Sequence, residues 1–420
     1  MHKLFRKIPF HALMVTLIYL GKWILTAECI GLIIGAIGAA FFHVLRFVTE
    51  LRSAHHWLIL LLPAGGLLIV YVYRLCGEVN DRGTNQVITA ITGDDRVPPV
   101  KAPLIFFATA VTHLFGGSAG RESAALQIGG CIGQNLGYVF HFHEGDRKII
   151  TMCGMSAAFA ALFGTPLSAA FLAMEISSIG VLYYAALVPC ALSALTANAL
   201  AVYLGTKPDA FTMYITPTFN VPHAVLCGCL TILCALISIL FCISLHKGGE
   251  LYKRYFPNPY VRIVVAGCLV AFLTMLSGGT MFNGAGMDII ERSFRGGVPA
   301  YAFLGKILFT TLTMSAGYKG GEIVPSLYVG ATFGCTFASL FGFNQPLCAA
   351  IGMAALFCGI TNCPIASLLL CFEMFGYAGM PYYLITIALS YAFSGYYSVY
   401  GSQKIVYSKF RNTYINRQTK

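Results

Sequence analysis

Apolar residues in this chain are gathered into long blocks separated by short polar connections. The blocks fall at roughly 12–47, 57–75, 103–119, 124–141, 150–176, 181–205, 223–246, 260–280, 300–316, 323–343, 346–375 and 381–398. A helix that crosses a bilayer needs about 20 predominantly apolar residues, so most of these blocks predict helices that cross or enter a membrane. Several, such as 12–47, 150–176 and 346–375, are too long for one span or are interrupted by Gly and Pro. The pattern predicts an all-α polytopic membrane protein. Composition agrees: 57% of the 420 residues are hydrophobic and only 10% are charged, with a mean hydropathy of +0.74, outside the range of soluble domains.

Charge changes the picture by its location. The formal net charge of +11 would suit nucleic acid if the bases formed one patch, but they sit at the tails and in connections. Lys3, Arg6 and Lys7 precede the first apolar block; Lys247, Lys253, Arg254 and Arg262 flank a central connection; Lys404, Lys409, Arg411, Arg417 and Lys420 follow the last. Under the positive-inside rule all three regions, and so both termini, are expected in the cytoplasm of a cell-membrane protein; nucleic-acid binding is not expected. The apolar character continues to Phe47 and beyond, so residues 1–47 are read as retained, not as a cleaved signal peptide.

Two places break the apolar pattern in the same way. From Ala102 to His143 the only charged side chains are Arg121 and Glu122, in His113-Leu-Phe-Gly-Gly-Ser-Ala-Gly-Arg-Glu-Ser-Ala-Ala-Leu-Gln-Ile-Gly-Gly130. Ionisable groups at that depth are costly and functional by default. Gly116 to Gly120 make a poor helix interior, whereas the residues from Ser123 on open a helix well. Such an opening presents unpaired N–H groups and a positive dipole, which suits an anion. Close helix packing with a structural ion pair is the competing reading of one such run. The arrangement recurs: between Ile307 and Phe372 only Lys319 and Glu322 are charged, in Ser315-Ala-Gly-Tyr-Lys-Gly-Gly-Glu-Ile-Val-Pro-Ser326.

A constant offset of 198 residues relates Gly154-Met…Pro166…Glu175 to Gly352-Met…Pro364…Glu373. Each half therefore runs break, helix, then Gly-Met…Pro…Glu, which predicts structural repeats with a binding site at their interface. An odd number of crossings per half would invert the repeats and set the two helix N-termini face to face. The join is expected at the polar connection His246–Pro257, giving repeats over 1–245 and 260–405, a cytoplasmic linker at 246–259 and a basic cytoplasmic tail at 406–420. No soluble module is expected after Tyr400.

The fifteen cysteines lie mostly inside apolar blocks, as Cys131, Cys153, Cys268 and Cys371 do, and include no CxxC; Cys227 and Cys229 lack partners at zinc spacing. They read as small hydrophobes. The histidines show no metal spacing, and His113, His141 and His143 read as packing residues. Neither metal nor cofactor is implied.

At the two breaks and the repeat the chain resembles the CLC family of chloride channels and proton-coupled anion exchangers. Gly120-Arg121-Glu122 with Leu126-Gln127-Ile128-Gly129-Gly130 is similar to its GREGPxxQIGG signature. Gly320-Gly-Glu-Ile-Val-Pro325 resembles GGxFxP, and Thr165-Pro166-Leu167 through Glu175 resembles APLAGxxFxxE. The resemblance covers about residues 70–405 and implies a homodimer of inverted repeats with broken re-entrant helices and one anion path per subunit. It implies that Glu122 is the gating glutamate, whose carboxylate occupies the anion path and leaves it when protonated. Backbone amides at Gly120, Arg121 and Ser123 and at Glu322, Ile323 and Val324 would line the anion sites, and Tyr400 would be the inner-gate tyrosine. Ala124 in place of proline, Gly-Gly-Glu at 320–322 and Tyr-Gly-Ser-Gln at 400–403 look most like the fluoride-exporting branch. So does Ile176, where chloride exchangers carry an inner proton-transfer glutamate. The segment expected to supply an inner anion ligand reads Arg82-Gly-Thr-Asn85, with neither the serine of chloride proteins nor the methionine expected of fluoride proteins; Thr84 and Asn85 are the candidates there.

The expected function is transport of a small halide, chloride or fluoride, gated or proton-coupled through Glu122 with Glu322 as a second proton site, leaning to fluoride/proton antiport. A passive chloride channel of the same fold is the alternative. A membrane-embedded enzyme would need a third catalytic member beside Ser118, His113 and Glu122, and no convincing one is found, so the chain is read as a non-enzyme. A scaffold would leave both charged breaks without a purpose.

Overall fold

A computed structural model describes residues 10–420 except 79, 80, 94, 212, 214 and 215; the basic residues Lys3, Arg6 and Lys7 lie outside the described residues. Eight helices come first: α1 (Phe10–Ala54), α2 (Leu62–Leu75), α3 (Thr84–Thr92), α4 (Lys101–Leu114), α5 (Glu122–Val139), α6 (Glu144–Phe163), α7 (Pro166–Glu175) and α8 (Leu187–Tyr203). Eight more follow: α9 (Val221–Tyr255), α10 (Pro259–Leu276), α11 (Met287–Arg295), α12 (Ala302–Ala316), α13 (Ile323–Phe341), α14 (Gln345–Thr361), α15 (Pro364–Phe375) and α16 (Met380–Phe393). Six helical stretches among the described residues are long and apolar enough to cross a membrane, and the protein is a multi-pass membrane protein.

The two sets of eight correspond in order and in packing. α1 packs on α6 and α8 as α9 packs on α14 and α16, and the short α3 lies against α5 and α6 as α11 lies against α13 and α14. The blocks 150–176 and 346–375 are each divided at equivalent positions. Gly164 (φ 76) and Asn362 (φ 57), both left-handed, end α6 and α14, and Pro166 and Pro364 open the next helices. Glycine takes that conformation freely, asparagine is the residue that best replaces it, and proline suits a first helical turn.

This correspondence corrects the expected join. α9 belongs with the second set, so the repeats meet in the connection between Tyr203 and Val221, not at 246–259. The polar cluster misled because α9 is 35 residues long, about 52 Å at 1.5 Å per residue. That exceeds the ~30 Å hydrocarbon thickness of a bilayer, so the helix has length to spare for a charged end that reads like a linker, although it is helical through Tyr255.

Two reciprocal contacts tie the repeats together. Glu175, the last residue of α7, accepts from the amides of Ile365 (3.3 Å) and Ala366 (2.9 Å) at the start of α15. Glu373, near the end of α15, accepts from Leu167 (2.8 Å) and Ser168 (2.9 Å) at the start of α7. Each carboxylate satisfies orphan donors of the other helix and lies at its positive end. Such an exchange requires α7 and α15 to run antiparallel, which is the inverted arrangement.

Close packing inside each repeat uses glycine. A Cβ on Gly154 would lie 2.1 Å from the Gly129 carbonyl oxygen, and one on Gly352 would lie 2.0 Å from that of Gly330. Around these crossings α6 and α14 are buried almost throughout, as expected of helices apolar on every face. Cys131, Cys153 and Cys371 are buried, whereas Cys268 is exposed on the outer face of α10; all fifteen cysteines are unpaired.

The residues expected as a basic tail include two strands. β1 (Ser178–Ile179), β2 (Lys404–Tyr407) and β3 (Tyr414–Gln418) form a small sheet in the order β1-β2-β3, parallel then antiparallel. β2 and β3 fold the 404–418 segment back against the helices because β1, after α7, offers β2 a free edge.

Gly154→Val and Gly352→Val are expected to destabilise the protein by about 3 kcal/mol each, the upper end for overpacking. Thermal unfolding in detergent checks this, with Gly145→Val as control, since a Cβ there meets nothing within 4 Å.

Candidate functional site

The two breaks meet. The Gly120 amide donates to the Gly321 carbonyl (2.7 Å) and the Gly321 amide donates to the Gly120 carbonyl (2.8 Å), forming an isolated antiparallel bridge. α5 begins one residue after Arg121 and α13 one residue after Glu322, so their N-termini converge on this bridge. Glycine is needed at both positions: a Cβ on Gly120 would lie 2.9 Å from Pro325 Cδ, and one on Gly321 would lie 2.8 Å from the Ser123 amide.

Glu122 is fully buried. Its carboxylate turns back on its own helix N-terminus, accepting from the Arg121 amide (3.0 Å) and from Arg121 Nε (3.1 Å). The guanidinium continues to Asp209 (2.7 Å) and lies over the ring of Phe42 (5.1 Å). The Arg121 side chain is therefore committed to two carboxylates, and its backbone amide to one of them. Ser123, also fully buried, joins three elements. Its Oγ accepts from the Glu322 amide at 3.3 Å and lies 3.4 Å from the Tyr400 hydroxyl. Ile323 and Val324, the first residues of α13, are fully buried beside it.

Glu322 lines a cavity of about 720 Å³, together with Thr84, Asn85, Gln127, Lys319 and Tyr400. Its Oε2 is buried and has no hydrogen-bond partner among the described residues. The structure thus brings Thr84 and Asn85 to the same cavity as Tyr400 and Glu322; Thr84 Oγ1 accepts from Gln127 (3.0 Å) and Asn85 Oδ1 from the Ser402 amide (2.9 Å), bonds that use neither the Thr84 hydroxyl proton nor the Asn85 Nδ2 donors.

The cavity and Asp209 lie toward opposite ends of α9. Asp209 is in the connection that precedes Val221, whereas Lys253, near the far end of that helix, lines the cavity. From the cavity inward, Glu322 and Tyr400 come first, then Ser123, then the buried Glu122, and beyond it the Arg121–Asp209 pair.

Several residues of this arrangement were not singled out from the sequence. Asp209 could have been, as the only acidic residue between Glu175 and Glu250. Asp81 bridges Lys319 (2.7 Å) and Lys101 (2.7 Å), and Lys101 also contacts Glu78 and Gln86. Burial opposes ionisation of Asp81, but the two ammonium groups outweigh it and hold the carboxyl below the usual range. Lys319 is remote in the chain from the 78–101 group, and no spacing marks Asp81 or Lys101. His113, Ser118 and Glu122 do not assemble: His113 Nε2 faces the Gly120 carbonyl (3.2 Å) and Ser118 Oγ faces Thr310 (3.0 Å).

A chloride/fluoride channel protein of Pseudomonas syringae pv. tomato is 34% identical to this chain over 401 residues, covering 93% of the chain and 88% of the relative. The H(+)/Cl(-) exchange transporter ClcA of Vibrio cholerae serotype O1 is 25% identical over 403 residues, covering 88% and 82%. The crystal structure of a CLC-type fluoride/proton antiporter matches with a TM-score of 0.88 at 32% identity, covering 91% of this chain and 98% of that one. The family model described as Voltage gated chloride channel matches residues 65–395. With paired helix N-termini, buried glutamates and a match over most of its length, this chain belongs to the voltage gated chloride channel (CLC) family.

Proposed function

We propose that the protein exchanges fluoride for protons across the cell membrane. The observation that carries this reading is the pair of helix N-termini joined at Gly120 and Gly321, with a carboxylate on each: Glu122 bound to the Arg121 amide, and Glu322 with one oxygen unpartnered beside the cavity. A halide and the Glu122 carboxylate compete for the same amide donors. The carboxylate gives up its place when protonated, because a neutral acid can leave the dipole without stranding a buried charge. One proton then moves as the anion passes. The fluoride assignment is supported by the named activity of the relatives at 32% and 34% identity.

Fluoride is small and strongly hydrated, so a path for it must replace water with close donors. The amides at Ile323 and Val324, the hydroxyl of Tyr400, the protonated form of Glu322 and the hydroxyl and amide protons of Thr84 and Asn85 beside the cavity offer them; the Glu322 amide already donates to Ser123 Oγ. Ile176, buried at the end of α7, leaves no second carboxylate there, and Glu322 takes that part. Ile176 in place of that glutamate is also what favours a passive chloride channel as the second reading. The bases at Lys253, Arg254 and Arg262, at the cavity end of α9, support a cytoplasmic cavity and cytoplasmic termini. Homodimerisation, implied by the family resemblance, belongs to the proposal, as does the absence of an enzymatic reaction.

In liposomes, Glu122→Gln is expected to reduce proton flux to that of protein-free vesicles while halide still moves; proton transport equal to the parent's would make Glu122 structural. Gly120→Val is expected to weaken halide binding by about 2 kcal/mol, roughly 30-fold, since it disturbs both bridge hydrogen bonds. Arg121→Gln should cost several-fold less, and calorimetric titration with fluoride checks the pair; the reverse order would refute amide binding. Ion-selective electrodes should record faster fluoride than chloride efflux, with fluoride transport lost in Glu322→Ala. Chloride efflux as fast as that of fluoride and indifferent to Glu322→Ala would leave a chloride channel.

A further inference from the structure

Tyr400 stands on an irregular segment, not on a helix. The Val399 amide donates to the Ile360 carbonyl (3.1 Å), and the Tyr400 amide to Ser398 Oγ (3.1 Å). The Tyr400 carbonyl accepts from the Gln403 amide (3.1 Å) and from Thr419 Oγ1 (2.8 Å). Thr419 follows β3, and its own amide donates to the Gln403 carbonyl (3.1 Å). The strands that fold back therefore end directly on the gate residue's backbone.

A second anchor comes from the turn between β2 and β3. Lys409 Nζ donates to Asn362 Oδ1 (2.5 Å), the Tyr391 carbonyl (2.9 Å) and Ser394 Oγ (3.2 Å), with no acidic partner within ion-pair distance among the described residues. It caps the C-terminal end of α16, where a cation is favoured. Asn362, held in the left-handed conformation that ends α14, donates to the Tyr397 carbonyl (2.9 Å) and to Gln403 Oε1 (3.2 Å). Gln403, fully buried, donates to the Ile176 carbonyl at the end of α7 (3.0 Å) and the Thr361 carbonyl at the end of α14 (2.8 Å). The hub thus joins the first repeat, the second repeat and the tyrosine segment.

We propose that residues 404–420 are a clamp on the inner gate, with Lys409 and Thr419 acting as positioning residues that set Tyr400 against Ser123. Neither side chain lines the cavity; each acts through Tyr400. A charged or hydroxyl-bearing tail that only solvated the surface would not direct its donors onto the backbone at 391–403. The clamp rests on the transport reading above for its consequence and on the hydrogen bonds alone for its geometry.

The test uses full-length protein in liposomes, with fluoride efflux and proton uptake recorded together. Thr419→Val and Lys409→Met are expected to lower the proton-to-fluoride ratio at least about threefold, the size expected for one lost hydrogen bond. Thr419→Ser and Lys409→Arg should restore it. On a Tyr400→Ala background the same two substitutions should have no further effect, because their route to the ion is removed. A purely structural role would reduce the amount of folded protein without moving the ratio. An unchanged ratio in Thr419→Val and Lys409→Met, or additive loss on the Tyr400→Ala background, overturns the clamp. Hydrogen exchange over residues 396–403 reads positioning without transport: it should accelerate in Thr419→Val, and equal protection overturns the proposal even if the parent moves no halide, a result that would separately refute the transport reading.

Discussion

A helix that stops inside a membrane leaves backbone N–H groups with no water to satisfy them, and everything at the centre of this protein follows from how two such ends are completed together. Gly120 and Gly321 exchange one pair of hydrogen bonds, which closes each break against the other and fixes the distance between the helices that follow. The amides beyond the bridge stay available for an acceptor. One is taken by the Glu122 carboxylate and the Glu322 amide by Ser123 Oγ; those that open α13 follow Glu322, which keeps a carboxylate oxygen free. Only glycine allows the approach, because a side chain at either position would meet backbone or proline within about 3 Å.

Charge is arranged around that bridge with the same near symmetry. Each break carries a base, and each base is held by an aspartate from a connection outside the broken segment: Arg121 by Asp209 and Lys319 by Asp81. The bases are therefore neutralised locally, not displayed as a cationic pore; in the transport reading proposed above, recognition of the anion falls to dipoles and amides. Asymmetry enters where the two pairs differ. Arg121 reaches Glu122 as well as Asp209, whereas Lys319 turns to Asp81 and leaves Glu322 beside the cavity. A symmetric scaffold thereby acquires a closed side and an open side. The clamp formed by 404–420 adds to the open side, since it meets Tyr400 and not Glu122.

Much of this was legible in the linear sequence, and for a physical reason. Charges inside apolar blocks are so costly that Arg121, Glu122, Lys319 and Glu322 stand out against their surroundings, and glycine runs and prolines mark where helices stop. The fold class, the two breaks and the duplicated Gly-Met…Pro…Glu segments were determined by composition and order alone. The gate and ligand roles came instead from the resemblance of those motifs to a family. What only the tertiary structure decided is everything that depends on partners remote in the chain. The join lay at 204–220, because α9 packs in the second repeat and is helical through the polar stretch that resembles a linker. Asp209, Asp81 and Lys101 became part of the site through ion pairs that no local spacing encodes. Inversion of the repeats was settled by Glu175 and Glu373 capping each other's helices, and the basic tail became a pair of strands because β1 supplied an edge more than two hundred residues away. Local sequence sets where a helix can begin and end; which of its unpaired donors meets which acceptor is set only when distant segments are brought into contact.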